Sequence, residues 1–396
     1  MQRSASYTLF LLLLLSSFAL VSAVLFTPVL RSITSYLDVT TSKAQQSISI
    51  FLVGYALGNL PWGPIANRYG RKKAVEIGII LSCIGMLICL LIYFFPSLWI
   101  LNLGRLITAL GASVGIKIAF TYISDLYAKE VAAKKISYLM LSFAIAPGLA
   151  IAVGGVLTKH LGWFSCLIAN LCYGVAIYLL CLKLPETLHD KDITAIRIKT
   201  VFTGYMAKLK NPILIRASFL MGCATTFIYL FASLAPFIAI KTIGLSSEQY
   251  GLYSFIPPVG MIVGFYATQL LHGKMSPLYQ IKTGAFISSI FSLLIFILFY
   301  SEKINAITLF FPIPALYIGL SLIFANASAL ALSSATNKSN ASAMTNFLNM
   351  SLCVVLLFVA EALPLPSTTL LSSFFIILSL MMWILSFLLQ RAKVVL

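Results

Sequence analysis

Charge is what this sequence lacks. Charged residues of both signs make up only 9% of its 396 residues, with ten Asp and Glu against 27 Lys and Arg. With 60% of the chain hydrophobic and a mean hydropathy of +1.01, too few polar side chains remain to coat a globule, which excludes a water-soluble fold. Histidine is scarce as well: His160, His189 and His272 fall between apolar runs, and no nucleophile, base and acid can be grouped around them. No GxxxxGK[ST] phosphate cradle is present either. The reading is therefore not an enzyme and not an ATP-driven pump, and no cofactor is expected. Cys83, Cys89, Cys166, Cys172, Cys181, Cys223 and Cys353 are odd in number and lie within apolar runs. They offer no disulfide framework and no metal-ligand spacing, and are expected to be small packing residues with no metal bound.

What is present is apolar length. Runs cover 7 to 30, 46 to 66, 77 to 98, 99 to 124, 136 to 158, 161 to 182, 217 to 240, 249 to 271, 283 to 301, 304 to 327, 339 to 360 and 362 to 390. At 1.5 Å per residue they suit a hydrocarbon core about 30 Å thick, and in lipid the backbone must satisfy its own hydrogen bonds. The fold class expected is an all-α integral membrane protein with twelve transmembrane helices. Residues 1 to 23 have the outline of a signal peptide, with Arg3 before the run and Val21, Ser22, Ala23 at its end, but the run continues to Leu30. The first helix is therefore expected to be retained.

The formal net charge of +17 would suit nucleic acid, yet twenty of the 27 cations fall at the termini and in alternate connections, and five in the other connections. That bias places both termini in the cytoplasm of a cell inner membrane. The expected partners are a small-molecule substrate and the lipid bilayer, with no nucleic acid, and the expected state is a monomer. The one long charged connection, 185–211, divides the chain into six-helix halves at 1–184 and 212–396. Within it Ile193, Ile196, Ile198, Val201 and Phe202, interleaved with Arg197, Lys199 and Lys208, predict an amphipathic helix on the inner membrane surface.

Between the second and third runs stands Gly63, Pro64, Ile65, Ala66, Asn67, Arg68, Tyr69, Gly70, Arg71, Lys72, Lys73. Its glycines allow close approach, and its basic cluster pins a tight turn to the inner surface. This segment resembles the loop signature G-x-x-x-D-R-x-G-R-[KR] of the major facilitator superfamily, with Asn67 where the family has Asp. Gly104 to Ala112 resembles the family's R-x-x-Q-G-x-G-A motif, with Thr108 for the glutamine and shifted glycines. Ser124, Asp125, Leu126, Tyr127, then Gly162 with Trp163, then Pro185, Glu186, Thr187, and Gly244 to Gly251 are similar to the bicyclomycin-resistance type of drug:proton antiporters. The resemblance implies the major facilitator fold, alternating access about a midplane site, and protons as a coupling partner. Two departures stand out. The antiporter signature G-P-x-x-G-G meets Ala150 and Ile151, leaving Pro147 one turn earlier as the kink. The acid that many antiporters carry ahead of a proline in the first helix falls near Val24, before Pro28.

Gating or conformational roles are accordingly expected for Gly63, Asn67, Arg68, Gly70, Arg71, Lys72, Asp125 and Pro147. Asn67 offers a neutral hydrogen bond where aspartate offers a charge-assisted one, so Asp125 is expected to supply negative charge to the loop cations within ~6 Å. The ten acids, Asp38, Glu76, Asp125, Glu130, Glu186, Asp190, Asp192, Glu248, Glu302 and Glu361, all read as lying in connections or at helix ends. Arg105 and Lys117 are then the charges expected at membrane depth, where each costs at least ~2.5 kcal/mol unless partnered.

A cavity so balanced favours an anion or zwitterion, and Arg105 and Lys117 are expected as substrate-binding residues. The blander alternatives are a structural brace for Arg105 and a snorkelling stem for Lys117. Twelve residues apart on one helix, they lie ~18 Å and about 120° apart and cannot grip one small carboxylate together. Asn326, Asn346 and Asn349 are expected to hydrogen-bond between helices. The function expected is export of a small amphipathic or anionic molecule, siderophore-like or drug-like. The alternatives are broad proton-coupled multidrug efflux and metabolite import on the same fold.

Overall fold

The computed structural model describes residues 2–127, 129–188, 190–192, 195–335 and 338–394, and every regular element among them is a helix. Among the described residues, ten helices are long and apolar enough to cross a membrane. They are Tyr7–Tyr36 (span one), Arg71–Tyr93 (span three), Leu98–Leu126 (span four), Phe164–Cys181 (span six), Pro212–Thr242 (span seven) and Ser247–Leu271 (span eight), then Pro277–Tyr300 (span nine), Ala306–Ser333 (span ten), Asn340–Ala362 (span eleven) and Ser367–Arg391 (span twelve). Span two is a pair, Thr41–Gly58 and Trp62–Tyr69, bent by 44°. Span five is the helix Lys129–Leu161, apolar over Ile145–Leu161 and holding Pro147 inside it. Taking the bent pair as one pass and span five as another, the helices before residue 185 and those after residue 211 form two groups that bring both termini to one end of the bundle. Between the groups a helix covers Ile198–Met206 and a tight turn covers Ala207–Lys210. Ile193 and His189 lie outside the described residues.

The packing shows why small residues recur. A Cβ on Gly111 of span four would sit 2.3 Å from the Gly78 carbonyl of span three, so the two backbones touch where any side chain would hold them apart. Lipid is as apolar as leucine, so close backbone approach replaces the hydrophobic drive between helices. Gly111→Val is therefore expected to lower the melting temperature of the detergent-solubilised protein, with overpacking costing about 1–3 kcal/mol. An unchanged melting curve by scanning fluorimetry would contradict this contact.

Two boundaries differ from the apolar-run reading. The first apolar run ends at Leu30, but the helix continues through Leu30–Tyr36, and Arg31 donates from Nη1 to the Ile240 carbonyl at 2.8 Å. That carbonyl lies in the wide π turn Ile238–Thr242 that ends span seven. Span two was read as one run from 46 to 66, but it begins at Thr41, where Thr40 Oγ1 accepts from the Lys43 N–H. It breaks at Asn59 to Pro61, because Pro61 and Pro64 have no N–H to continue the helical ladder.

Direct contacts between the halves gather toward the end opposite the termini. Besides Arg31, Gln45 Nε2 donates to Ser233 O at 3.4 Å, Ser42 Oγ donates to Glu361 O, and Lys159 pairs with Glu248. Toward the termini the linker intervenes: Tyr205 Oη donates to Leu60 O at 2.9 Å.

Candidate functional site

Arg105 sits where spans one, two and four meet. Its Nη1 donates to Ser22 O at 2.5 Å, Nη2 to Ala23 O at 3.0 Å and Nε to Ser47 O at 3.3 Å. The guanidinium lies over the Phe26 and Phe51 rings, 5.0 and 4.3 Å from their centroids. It is 2% exposed, and the cavity beside it, lined by Met86, Cys89, Thr108, Leu167 and Asn170, measures about 10 Å³. That is at the lower limit for a single water. The sequence placed Arg105 at membrane depth; the structure surrounds it with main-chain acceptors and aromatic faces, and it forms none of the ion pairs seen among the described residues.

Lys117, three turns further along span four, is half-buried and reaches span two at its break. Nζ donates to Asn59 O at 2.8 Å, beside Gly63, where a Cβ would come within 3.0 Å of Nζ. The next carbonyl, Leu60 O, would normally pair with the N–H of residue 64, which is proline and has none. Tyr205 of the linker supplies that donor. The break therefore has a cation from span four on one carbonyl and a linker hydroxyl on the next. Tyr205 carries no sequence signal for this role.

At the termini end the expected gating residues converge. Asp125 Oδ2 is 3.3 Å from Arg71 Nε, and Asn67 Oδ1 accepts from Arg71 Nη1 at 2.6 Å. Arg68 stacks on the Tyr69 ring, and Lys72 Nζ donates to Leu182 O at 2.7 Å. The sequence reading missed Glu186 as a member of this group. Its carboxylate accepts from the Arg71 and Lys72 N–H groups at 2.8 and 3.2 Å, and so caps the start of span three, where unpaired N–H groups and the helix dipole favour an anion. Gly70 makes this possible: its φ is +110°, and a Cβ there would lie 2.2 Å from Glu186 Oε2. Thr187 Oγ1 donates to Asp125 Oδ2 at 2.9 Å, so the exit of span six ties both acids to the loop. Pro147 stands apart from this group, inside span five, where the adjoining Gly148 faces Pro258 and Ser254 of the other half.

The acids require a correction. Glu361 does lie in the last turn of span eleven, but it is 8% exposed and packed against span two, where Ser49 Oγ donates to its Oε1. The apolar-run reading placed no carboxylate in the interior, because position along a run does not reveal how a partner half covers its end. Of the three asparagines, Asn326 Nδ2 donates to Gln280 Oε1 of span nine at 3.0 Å, whereas Asn349 is buried with neither side-chain atom hydrogen-bonded.

Ten helices long and apolar enough to cross a membrane among the described residues, a bent second span and a basic loop tied to span four define an all-helical membrane protein. The description of the Major Facilitator Superfamily matches residues 10–360, and the chain belongs to that superfamily. It is 23% identical over 239 residues to a bicyclomycin resistance protein homolog of Haemophilus influenzae, covering 60% of this chain and 59% of that protein. It is 24% identical over 332 residues to multidrug resistance protein D of Escherichia coli, covering 82% and 80%. Against several curated relatives, the Haemophilus protein among them, the matched stretch is under two thirds of their length. A D-xylose–proton symporter superposes with TM-score 0.76 at 14% identity, over 96% of this chain and 97% of that one, a likeness of fold. The family and these relatives are transporters or resistance proteins rather than enzymes.

Proposed function

We propose that the chain is a secondary transporter of the inner membrane that exports a small amphipathic or anionic molecule by alternating access. The observation that carries this reading is Lys117, a half-buried cation on span four that lies against the break in span two and forms no ion pair among the described residues. Such a cation at membrane depth marks a path for negative charge. Efflux as the direction is supported by the resistance proteins among its relatives. With the cation-rich end in the cytoplasm, this reading puts the end where the halves touch on the outer side. Expelling one negative charge from a cell negative inside gains about 2.3 kcal/mol per 100 mV, close to 50-fold in concentration. A siderophore-like polycarboxylate fits that chemistry. The second reading, proton-coupled efflux of lipophilic drugs, is favoured by the names of the relatives and by the buried Glu361.

Untargeted mass spectrometry of media from cells with and without the chain is expected to show an anionic metabolite enriched by the protein. In proteoliposomes that metabolite is expected to move toward the positive side under a potassium-diffusion potential at equal pH. Movement that follows only a pH gradient would refute potential-driven export and select the proton-coupled reading. Alternating access has its own test: a reducible bis-methanethiosulfonate cross-linker joining Lys159→Cys and Glu248→Cys should stop transport, and reduction should restore it. Transport that continues through the cross-link would overturn alternating access.

A further inference from the structure

We infer that Glu361 is a proton-binding site assembled between the two halves, which holds its proton while the end opposite the termini is closed and gives it up when that end opens. The carboxyl comes from span eleven of one half, and its hydrogen-bond partner, Ser49, comes from span two of the other. Ser42, two turns earlier on span two, donates to the main-chain oxygen of the same Glu361, so one face of span two grips both ends of the residue. Glu361 is 8% exposed, and its Oε2 has no hydrogen-bond partner.

The titratable and charged groups on the elements packed against span eleven are Lys43 and Tyr55 of the first helix of span two, Arg216, Cys223, Tyr229 and Lys241 of span seven, Tyr317 of span ten and, toward the termini, Lys199, Tyr205, Lys208 and Lys210 of the linker. At the near end of span one, Arg31 is engaged with Ile240 O. Arg105 is held by Ser22, Ala23 and Ser47. Lys43 and Lys241 are exposed, and the ion pairs among the described residues are Arg71 with Asp125 and Lys159 with Glu248. Among the described residues no cation therefore pairs with Glu361. Burying an unpaired carboxylate is strongly unfavourable, and one bound proton removes that charge.

Separating the halves at this end takes Ser49 away and wets the carboxyl, so the open form accommodates the charge and the closed form the proton. A ligand that binds one of two conformations better shifts the equilibrium toward it, and by linkage a rising pH favours opening. The proton enters and leaves as a proton, and no bond beyond the carboxyl O–H is made or broken.

The inference rests on the alternating access proposed above but not on any substrate or driving ion. Hydrogen–deuterium exchange of the full-length, detergent-solubilised chain, in sodium-free buffer and corrected for the intrinsic pH dependence of exchange, tests it. Peptides around 41–52 and 355–366 are expected to exchange about tenfold or more faster at about pH 8.5 than at about pH 5.5. Glu361→Gln, which keeps the shape of the neutral acid, should remain protected at both values. Ser49→Ala should shift the midpoint, while Ser42→Ala, which touches only the main chain, should leave it in place. Exchange indifferent to pH in the unmodified protein, a Glu361→Gln profile that follows it, or opening that answers to added sodium rather than to protons would each overturn the inference. If the Lys159→Cys and Glu248→Cys cross-link stops transport while Glu361→Gln keeps the unmodified pH profile, alternating access stands and the Glu361 site falls.

Discussion

Arg105→Met is expected to damage the fold before it damages any transport. The guanidinium closes three main-chain carbonyls on spans one and two and fills the space between Phe26 and Phe51. Hydrogen bonds from charged donors contribute about 1.5–3 kcal/mol each in soluble proteins, whereas side-chain bonds between membrane helices average about 0.6. Three of them bracket the loss between about 2 and 9 kcal/mol, and removing a buried charge offsets part of it. A net destabilisation of about 2–4 kcal/mol is expected, read as a lower melting temperature and less folded protein in the membrane. Arg105→Lys should recover little of it, since a single ammonium cannot reproduce a planar fork that reaches acceptors on two helices. A residue that only gripped substrate would behave oppositely, with transport lost at an unchanged melting temperature. That outcome would restore Arg105 to the substrate path.

The contrast between Arg105 and Glu361 shows what this sequence makes legible. Apolar runs mark the membrane-crossing helices because hydropathy is a local property, integrated over about twenty residues, and lipid enforces it along the whole run. Span four was recognisable as the polar core of the first half from its two cations alone. Nothing local, however, tells what those cations touch. Arg105 ends on carbonyls 58 to 83 residues away, and the Leu60 carbonyl freed by Pro64 is met by a tyrosine 145 residues on. Glu186 read only as part of a span-six exit, yet it caps a helix that begins 115 residues earlier. Glu361 lies at a helix end, as the sequence reads it, yet it is buried. A charge at the edge of an apolar run looks like the end of the membrane, but where two halves close over each other that edge is interior. The Asp125 and Arg71 pairing was reachable from sequence because the loop signature leaves a charge unbalanced at Asn67, and Asp125 is the acid at the inner end of the neighbouring span.

Lys117→Met is expected to lower transport of an anionic substrate at least tenfold while leaving folded protein within about twofold of the unmodified chain. A hydrogen bond from a charged donor to an anion contributes about 1.5–3 kcal/mol, and tenfold corresponds to about 1.4. The cost to the fold is smaller than for Arg105, because Lys117 gives one bond, to Asn59 O, at a break where Asn59 is buried but Leu60 is half-buried and Pro61 exposed. The neighbouring glycine separates charge from position. Gly63→Ala would place a Cβ 3.0 Å from Nζ and push the ammonium off Asn59 by a few tenths of an ångström without removing its charge. If Lys117 contacts the passing anion, Lys117→Met should raise KM, whereas Gly63→Ala should chiefly change kcat by disturbing the bend of span two. Uptake into inverted vesicles, measured over a range of concentrations for the anion enriched in the medium, gives both constants. Unmodified KM and kcat in Lys117→Met would leave the ammonium as no more than a donor to the carbonyl at the break, and would remove the cation on which export of an anion was argued.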